Sequence, residues 1–372
     1  MNWPNTLLTE RLGIRYPIIQ APIDGGPGAP WLVAAVANAG GLGSLAGSAL
    51  HPERLRTAIT EIRALTDRPF AVNLGPNSAV RMDTRIARAS ELLKPYRAEL
   101  GLPPDPPELP EPPGFDDQLD VILESRIPVL SFSFGVPGAG YLALLREAGI
   151  TVLATATHLL EAIVLEESGV DFIVAQGAEA GGHRGTFIGH PEQGLVGTMT
   201  LTPLLAKHVA TPIIAAGGIM DGRGIAAAQM LGAVGVQMGT AFLACPESGA
   251  HPAHKALLLQ GSEIATTLTR MFTGRYGRVL RNRLTAELHT HEAEWPVFPL
   301  QWFLTQDVQR AAADRNLTHF MALWAGQGCH LCEERPAAEL LATWVEQATV
   351  LLGNDPVREP TANEPPDPAS AI

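Results

Sequence analysis

Eight short apolar runs, most of them separated by helical patterns, constrain the fold of this chain more than any single motif. They are 17–22 (PIIQAP), 41–46 (GLGSLA), 70–75 (FAVNLG), 129–135 (VLSFSFG), 151–156 (TVLATA), 171–177 (DFIVAQG), 212–218 (PIIAAGG) and 235–243 (GVQMGTAFL). Continuous apolar runs of this length read as strands buried on both faces. The stretches 31–39, 52–64, 141–148, 158–167 and 224–231 are alanine- and leucine-rich and read as helices. Strands alternating with helices imply a parallel sheet with right-handed crossovers. Eight such units over roughly 250 residues are the size of a (β/α)8 TIM barrel of the α/β class.

Two insertions break the rhythm. The first, between strands three and four, contains 103–114 (PPDPPELPEPPG), too proline-dense for a helix and expected as a surface loop. The second follows strand eight, over 248–316. Elements added after a strand's C-terminal end lie over the active-site face of a barrel. We therefore expect 1–247 and 317–352 to form the barrel and 248–316 a smaller, mainly helical cap that faces the substrate. Helices are expected over 318–325 and 336–352, and the polar, proline-rich tail 353–372 is expected to be disordered.

Composition narrows the partners. The 372 residues carry a formal net charge of -12, which speaks against nucleic acid, since phosphate backbones need a basic face. No apolar run reaches membrane-spanning length, and the first eleven residues lack the apolar core of a signal peptide. Three cysteines make no disulfide framework, so a reduced, cytoplasmic setting is expected. Oligomeric state is open, and a homodimer is compatible with everything above.

Chemistry in a barrel collects at the C-terminal strand ends. After strand six comes 176–185 (QGAEAGGHRG), a glycine-rich turn that carries His183. Strands seven and eight end in Gly217-Gly218 and in Gln237-Met238-Gly239-Thr240, at the two places where barrels bind phosphate through exposed backbone N–H groups. Asn73, Gln176 and Gln237 would supply neutral amides for a heteroaromatic ring with alternating donors and acceptors, such as flavin.

These pieces resemble the nitronate monooxygenase family, once called 2-nitropropane dioxygenases. The matching segments are QAPIDGG, AVNLGP, DFIVAQGAEAGGHRG, TPIIAAGGIMDGRG, GVQMGTAFL and TRMFTGRYGRVLRNRL, in the family's order from Gln20 to Leu284. The resemblance implies an FMN-dependent barrel that oxidises alkyl nitronates with O2 to a carbonyl compound and nitrite, without NAD(P)H. It implies cofactor contacts from Asn73, Gln176, Gly181, Gly217, Gly218, Gln237, Met238, Gly239 and Thr240. It makes His183 the catalytic residue, able to deprotonate a nitroalkane or, as imidazolium, to hold the anion. The chain departs from the family at Ile23, where methionine is usual, and at Asp24, where a small residue is usual. The expected substrate wall is Ile23, Asp24, Ser133, Phe298, Trp302 and Phe303, with Tyr276 the only tyrosine of the cap region.

Other features have plainer readings. Cys329-His330-Leu331-Cys332 has metal-like spacing but no second pair, so no metal is expected. The arginines from Arg270 to Arg283 could clamp an anion, but most are expected to be structural. His289, His291 and Glu292 are expected on a polar cap surface. Two further functions stay open: an FMN-dependent enoyl-thioester reductase using NAD(P)H, and a flavin-binding protein without turnover.

Overall fold

The computed structural model describes residues 3–75, 83–108 and 110–353. The expected disordered tail therefore lies, apart from Gly353, outside the described residues. All eight apolar runs form strands: β1 (Ile18–Gln20), β2 (Gly43–Ala46), β3 (Phe70–Leu74), β4 (Val129–Phe132), β5 (Thr151–Ala156), β6 (Phe172–Gln176), β8 (Ile213–Ala216) and β9 (Gly235–Met238). They pair in parallel in the order β1-β9-β8-β6-β5-β4-β3-β2. The ring closes between β1 and β2, where Leu42 N donates to Ile18 O and Gln20 N donates to Leu42 O, both at 2.9 Å. Closure leaves no free sheet edge, and the chain is a (β/α)8 barrel.

The barrel interior is apolar. Ile19, Ala71, Val129, Leu153, Phe172, Val174 and Ile214 form one buried cluster with Leu8, Leu12 and Ile14. The last three belong to a short N-terminal helix, Leu7–Leu12, and the residues after it, so this segment plugs one end. Outside, helices such as Pro52–Leu65 bury Leu55, Ile59 and Ile62, one stripe at helical spacing, against the strands. The other end stays open for the site.

Over that end lies a second apolar cluster containing Tyr96, Leu243, Leu258, Phe272, Trp295, Leu304 and Phe320. It draws on the helix Ile86–Glu99 of the first insertion as well as the helix Leu300–Asp314 of the second. A buried ion pair at 2.7 Å joins them, from Arg97 Nη2 to Asp307 Oδ2. The proline-rich stretch runs without regular structure over its described residues, as expected. A small antiparallel sheet completes this layer: β10 (Thr266–Thr269), β11 (Gly277–Leu280) and the two-residue β7 (Gly182–His183).

One expected helix is absent. Residues 318–325 form only a 3-10 turn, Thr318–Phe320, and then run extended, with Trp324 bridging to Val279 of β11. Asn316, at φ 57°, ends the preceding helix, and pairing to β11 outweighs the helical preference of the sequence. The last helix, Ala337–Leu351, forms as expected.

Candidate active site

The C-terminal strand ends open into a cavity of about 370 Å³, within the range of cofactor and small-molecule sites. Its lining joins Ile23 and Asp24 after β1, Asn73 on β3, Ser133 after β4 and Gln176 on β6. It continues through Gly181 and His183, Gly217 and Gly218 after β8, then Gln237, Met238, Gly239 and Thr240. Phe298 and Trp302 close it from above. Of the expected site residues, Phe303 alone stays out. It is buried beside Trp302, with ring centroids 5.2 Å apart, on the side away from the cavity.

The histidine loop is held on every side. Gln176 uses both arms of its amide on the loop: Nε2 donates to His183 O at 2.9 Å and Oε1 accepts from Gly185 N at 2.8 Å. Arg184, 2% exposed, donates to the carbonyls of Gly177, Gln176 and Gly194 at 2.7, 2.8 and 2.9 Å. His183 itself pairs with Gly277 of β11, so the loop is stitched to the cap. Only glycine fits at Gly181, where a Cβ would fall 2.5 Å from the backbone carbon of Ala325.

The His183 ring sits among aromatics, with centroids 4.8 Å from Trp324 and 6.0 Å from each of Phe134 and Phe298. Its Nε2 lies 2.9 Å from Thr273 Oγ1. Burial among these rings, and secondarily the charge of Arg275, push its pKa down to about 3. That shift favours the neutral imidazole over the imidazolium at physiological pH.

The cavity floor is neutral and polar. Asn73 Nδ2 donates to Ser131 Oγ at 2.9 Å and to Ser131 O at 3.2 Å, which fixes its amide. At the opposite rim Gly217 and Gly218 take φ values of 111° and 71°, a turn that few other residues tolerate. The chain then caps its own helix, because Asp221 accepts from Arg223 N and Gly224 N at the start of Gly222–Met230. A segment that the sequence reading had not marked as part of the site completes this rim. Gly326 N donates to Thr240 Oγ1 and Gln327 N to Glu179 O, both at 2.9 Å. The only sequence signal for it was the pair Gly326 and Gly328, hidden next to the expected helix. Glu179, also at this rim, directs its carboxylate at the N–H and hydroxyl of Thr198. An open glycine rim, a floor of fixed neutral amides and aromatic walls fit a flat heteroaromatic group with a phosphate tail.

Two charged groups remain inside. Asp24 is an exposed residue at the cavity lining, and desolvation by the protein around it raises its carboxyl pKa to about 6. Arg275 lines the cavity with its guanidinium 3.7 Å from the centre of the Phe134 ring. Arg275 is one of the run of arginines expected to be mostly structural, and Thr273, Phe134 and Trp324 carry no sequence signal of a site role.

The remaining motifs lie elsewhere. Cys332 Sγ donates to Thr240 O at 3.2 Å, Cys329 Sγ to Ser262 O at 3.6 Å, and burial raises both thiols. His291 pairs with Glu294 at 2.7 Å, while Glu292 accepts from Arg270 N at 2.8 Å. Among the described residues no three His, Cys, Asp or Glu side chains gather as a metal site. None of the helices among them is long and apolar enough to cross a membrane.

The chain resembles known proteins over nearly its whole length. The nitronate monooxygenase family model matches residues 5–347. A probable nitronate monooxygenase of Staphylococcus haemolyticus is 39% identical over 353 residues, 94% of this chain and 99% of that protein. One from Staphylococcus aureus is 39% identical over 355 residues, with the same shares of 94% and 99%. Among solved structures, a nitroalkane oxidase from Streptomyces ansochromogenes superposes with a TM-score of 0.86 at 38% identity, covering 93% of this chain and 99% of that one. FabK from Thermotoga maritima superposes with a TM-score of 0.75 at 31% identity, covering 94% and 98%.

Proposed function

This chain belongs to the nitronate monooxygenase family, a family of flavin-dependent oxidoreductases, and from that premise we propose that it binds FMN and oxidises alkyl nitronates with O2. The products are a carbonyl compound and nitrite. Two nitronates and one O2 give two carbonyl compounds and two nitrites, a balance that needs no reduced nicotinamide. The observation that carries this reading is the fixed, neutral His183 at a cavity whose floor is amide and whose far rim is glycine.

Asn73 and Gln237 would meet the ring edge of the flavin, and Gly217, Gly218, Gly239 and Thr240 its phosphate. When bound, the flavin supplies the electron acceptor for the substrate carbon. Gln176 and Arg184 hold the His183 loop in register with the cap. His183 faces the substrate as a neutral imidazole that can accept a proton from a nitroalkane. The 248–316 cap supplies Phe298 and Trp302, which exclude water from the reacting atoms.

The likeness to FabK keeps a reductase reading in view, at lower identity and lower TM-score than the nitroalkane oxidase. Anaerobic mixing of the flavin-loaded protein with ethylnitronate, and separately with NADH, decides between them. Bleaching of the flavin band by ethylnitronate is expected. Bleaching at a catalytic rate by NADH alone would overturn the reading.

A further inference from the structure

Arg275 is a cation without an anion. No carboxylate among the described residues pairs with it, and its Nε is buried without a hydrogen-bond partner. Its buried and paired neighbours in the basic run are accommodated, and Arg281 is exposed to solvent. Arg270 donates to Gly274 O and lies near Glu292, Arg278 donates to Ala178 O near Glu179, and Arg283 pairs with Glu99 and Glu287. Arg275 instead lies over the Phe134 ring, with Phe298 at 5.8 Å, and it lines the cavity beside His183. Phe134 reaches that place from the left-handed region, at φ 71°, a conformation disfavoured for a bulky residue.

A buried charge is costly unless something compensates it, and faces of aromatic rings compensate only in part. The main chain of Arg275 is fixed as well, since its N–H donates to Thr273 Oγ1 at 3.3 Å and its carbonyl accepts from the same hydroxyl at 3.2 Å. Thr273 is also the partner of His183, so imidazole and guanidinium share one mount.

We propose that Arg275 is the anion anchor of this site, receiving the oxyanion of the nitronate beside His183 and selecting the preformed nitronate over its conjugate acid, the neutral nitroalkane. The assignment rests on the nitronate-oxidising function. A planar guanidinium matches the two oxygens of a planar nitronate in a two-point contact. The neutral imidazole beside it adds no second positive charge and is a weak base toward a carbon acid, so a substrate that arrives already ionised has the advantage.

Nitrate, a planar anion of nitrogen and oxygen, is the probe. It is titrated into the flavin-loaded protein and binding is read from the flavin difference spectrum, for wild type, Arg275→Lys and Arg275→Met. We expect Arg275→Met to weaken nitrate binding on the order of 10- to 100-fold and Arg275→Lys only a few-fold. KM for ethylnitronate should rise in parallel with little change in kcat, while kcat/KM for neutral nitroethane changes far less. The melting temperature of flavin-free Arg275→Met should equal or exceed wild type, since an uncompensated buried charge has gone. Unchanged nitrate binding in Arg275→Met, equal losses on nitronate and nitroethane, or a fall in melting temperature that Arg275→Lys restores would each overturn the assignment. Nitrate binding that depends on Arg275 in a protein inert to every nitronate would leave the anchor standing and remove the function it rests on.

Discussion

His183 Nε2 and Thr273 Oγ1 lie 2.9 Å apart although 90 residues separate them in the chain. The contact joins the loop after the sixth barrel strand to the turn after β10 in the cap. With the Thr273 hydroxyl donating to the Arg275 carbonyl, Nε2 is the donor to Thr273 and Nδ1 keeps the lone pair. Thr273→Val keeps the side-chain shape and removes that acceptor. We expect kcat with ethylnitronate to fall roughly tenfold, the worth of one hydrogen bond, while flavin affinity stays within about threefold. Steady-state kinetics and a flavin titration measure the two. An unchanged kcat would mean that the aromatic rings alone orient His183.

His183→Asn should retain the flavin spectrum and lose most turnover, on the order of 100-fold or more. It should also change acid stability. The pKa of His183 is about 3 in the folded protein and 6.5 as a free side chain, so between those values the unfolded chain binds the extra proton. Stability from this group is full above pH 6.5 and drains away as pH falls toward 3. The variant should lose that share of the acid sensitivity, seen as a shallower fall in melting temperature from pH 7 to pH 4. His254, also depressed, stays in both proteins and cancels in the comparison.

Arg184 donates to three loop carbonyls and has no acidic hydrogen-bond partner among the described residues. Arg184→Met would strand those carbonyls in a site that water cannot easily fill. A loss of about 2–4 kcal/mol in denaturant unfolding is expected, with turnover falling further because His183 loses its support. A stability change below about 1 kcal/mol would show that the loop relaxes to bond elsewhere.

The strands were legible because a barrel interior demands continuous apolar runs, and each of the eight runs carries that signature locally. The glycine rim and the His183 loop were legible for a related reason, since sharp turns at strand ends need glycine in the chain itself. What could not be read were contacts made by residues distant in sequence. Trp324 looks like part of a helix until β11 offers it a bridge, and Arg275 looks like one of several surface arginines until the fold buries its Nε beside the Phe134 ring. Its position makes Gln176 an expected cofactor ligand, but only the fold reveals that both arms of its amide hold the His183 loop. Of the two charges in the cavity, Asp24 is legible from its place in the first motif, while the place of Arg275 is not.

That balance makes Asp24 the group to titrate. Desolvation raises its pKa to about 6, from 3.8 for a free aspartate side chain. As pH rises through 6 the carboxyl ionises and puts a negative charge into the cavity proposed to receive the nitronate anion. Anion binding should therefore weaken above pH 6, with KM for ethylnitronate climbing across that range. Stability moves the same way: between 3.8 and about 6 the folded chain holds the proton that the unfolded chain has released, so stability falls as pH rises through that window and stays lower above it. Asp24→Asn should flatten the KM profile between pH 5 and pH 8 and raise the melting temperature at pH 7. A KM profile with the same inflection in Asp24→Asn would assign the titration to another group and free Asp24 from any part in substrate choice.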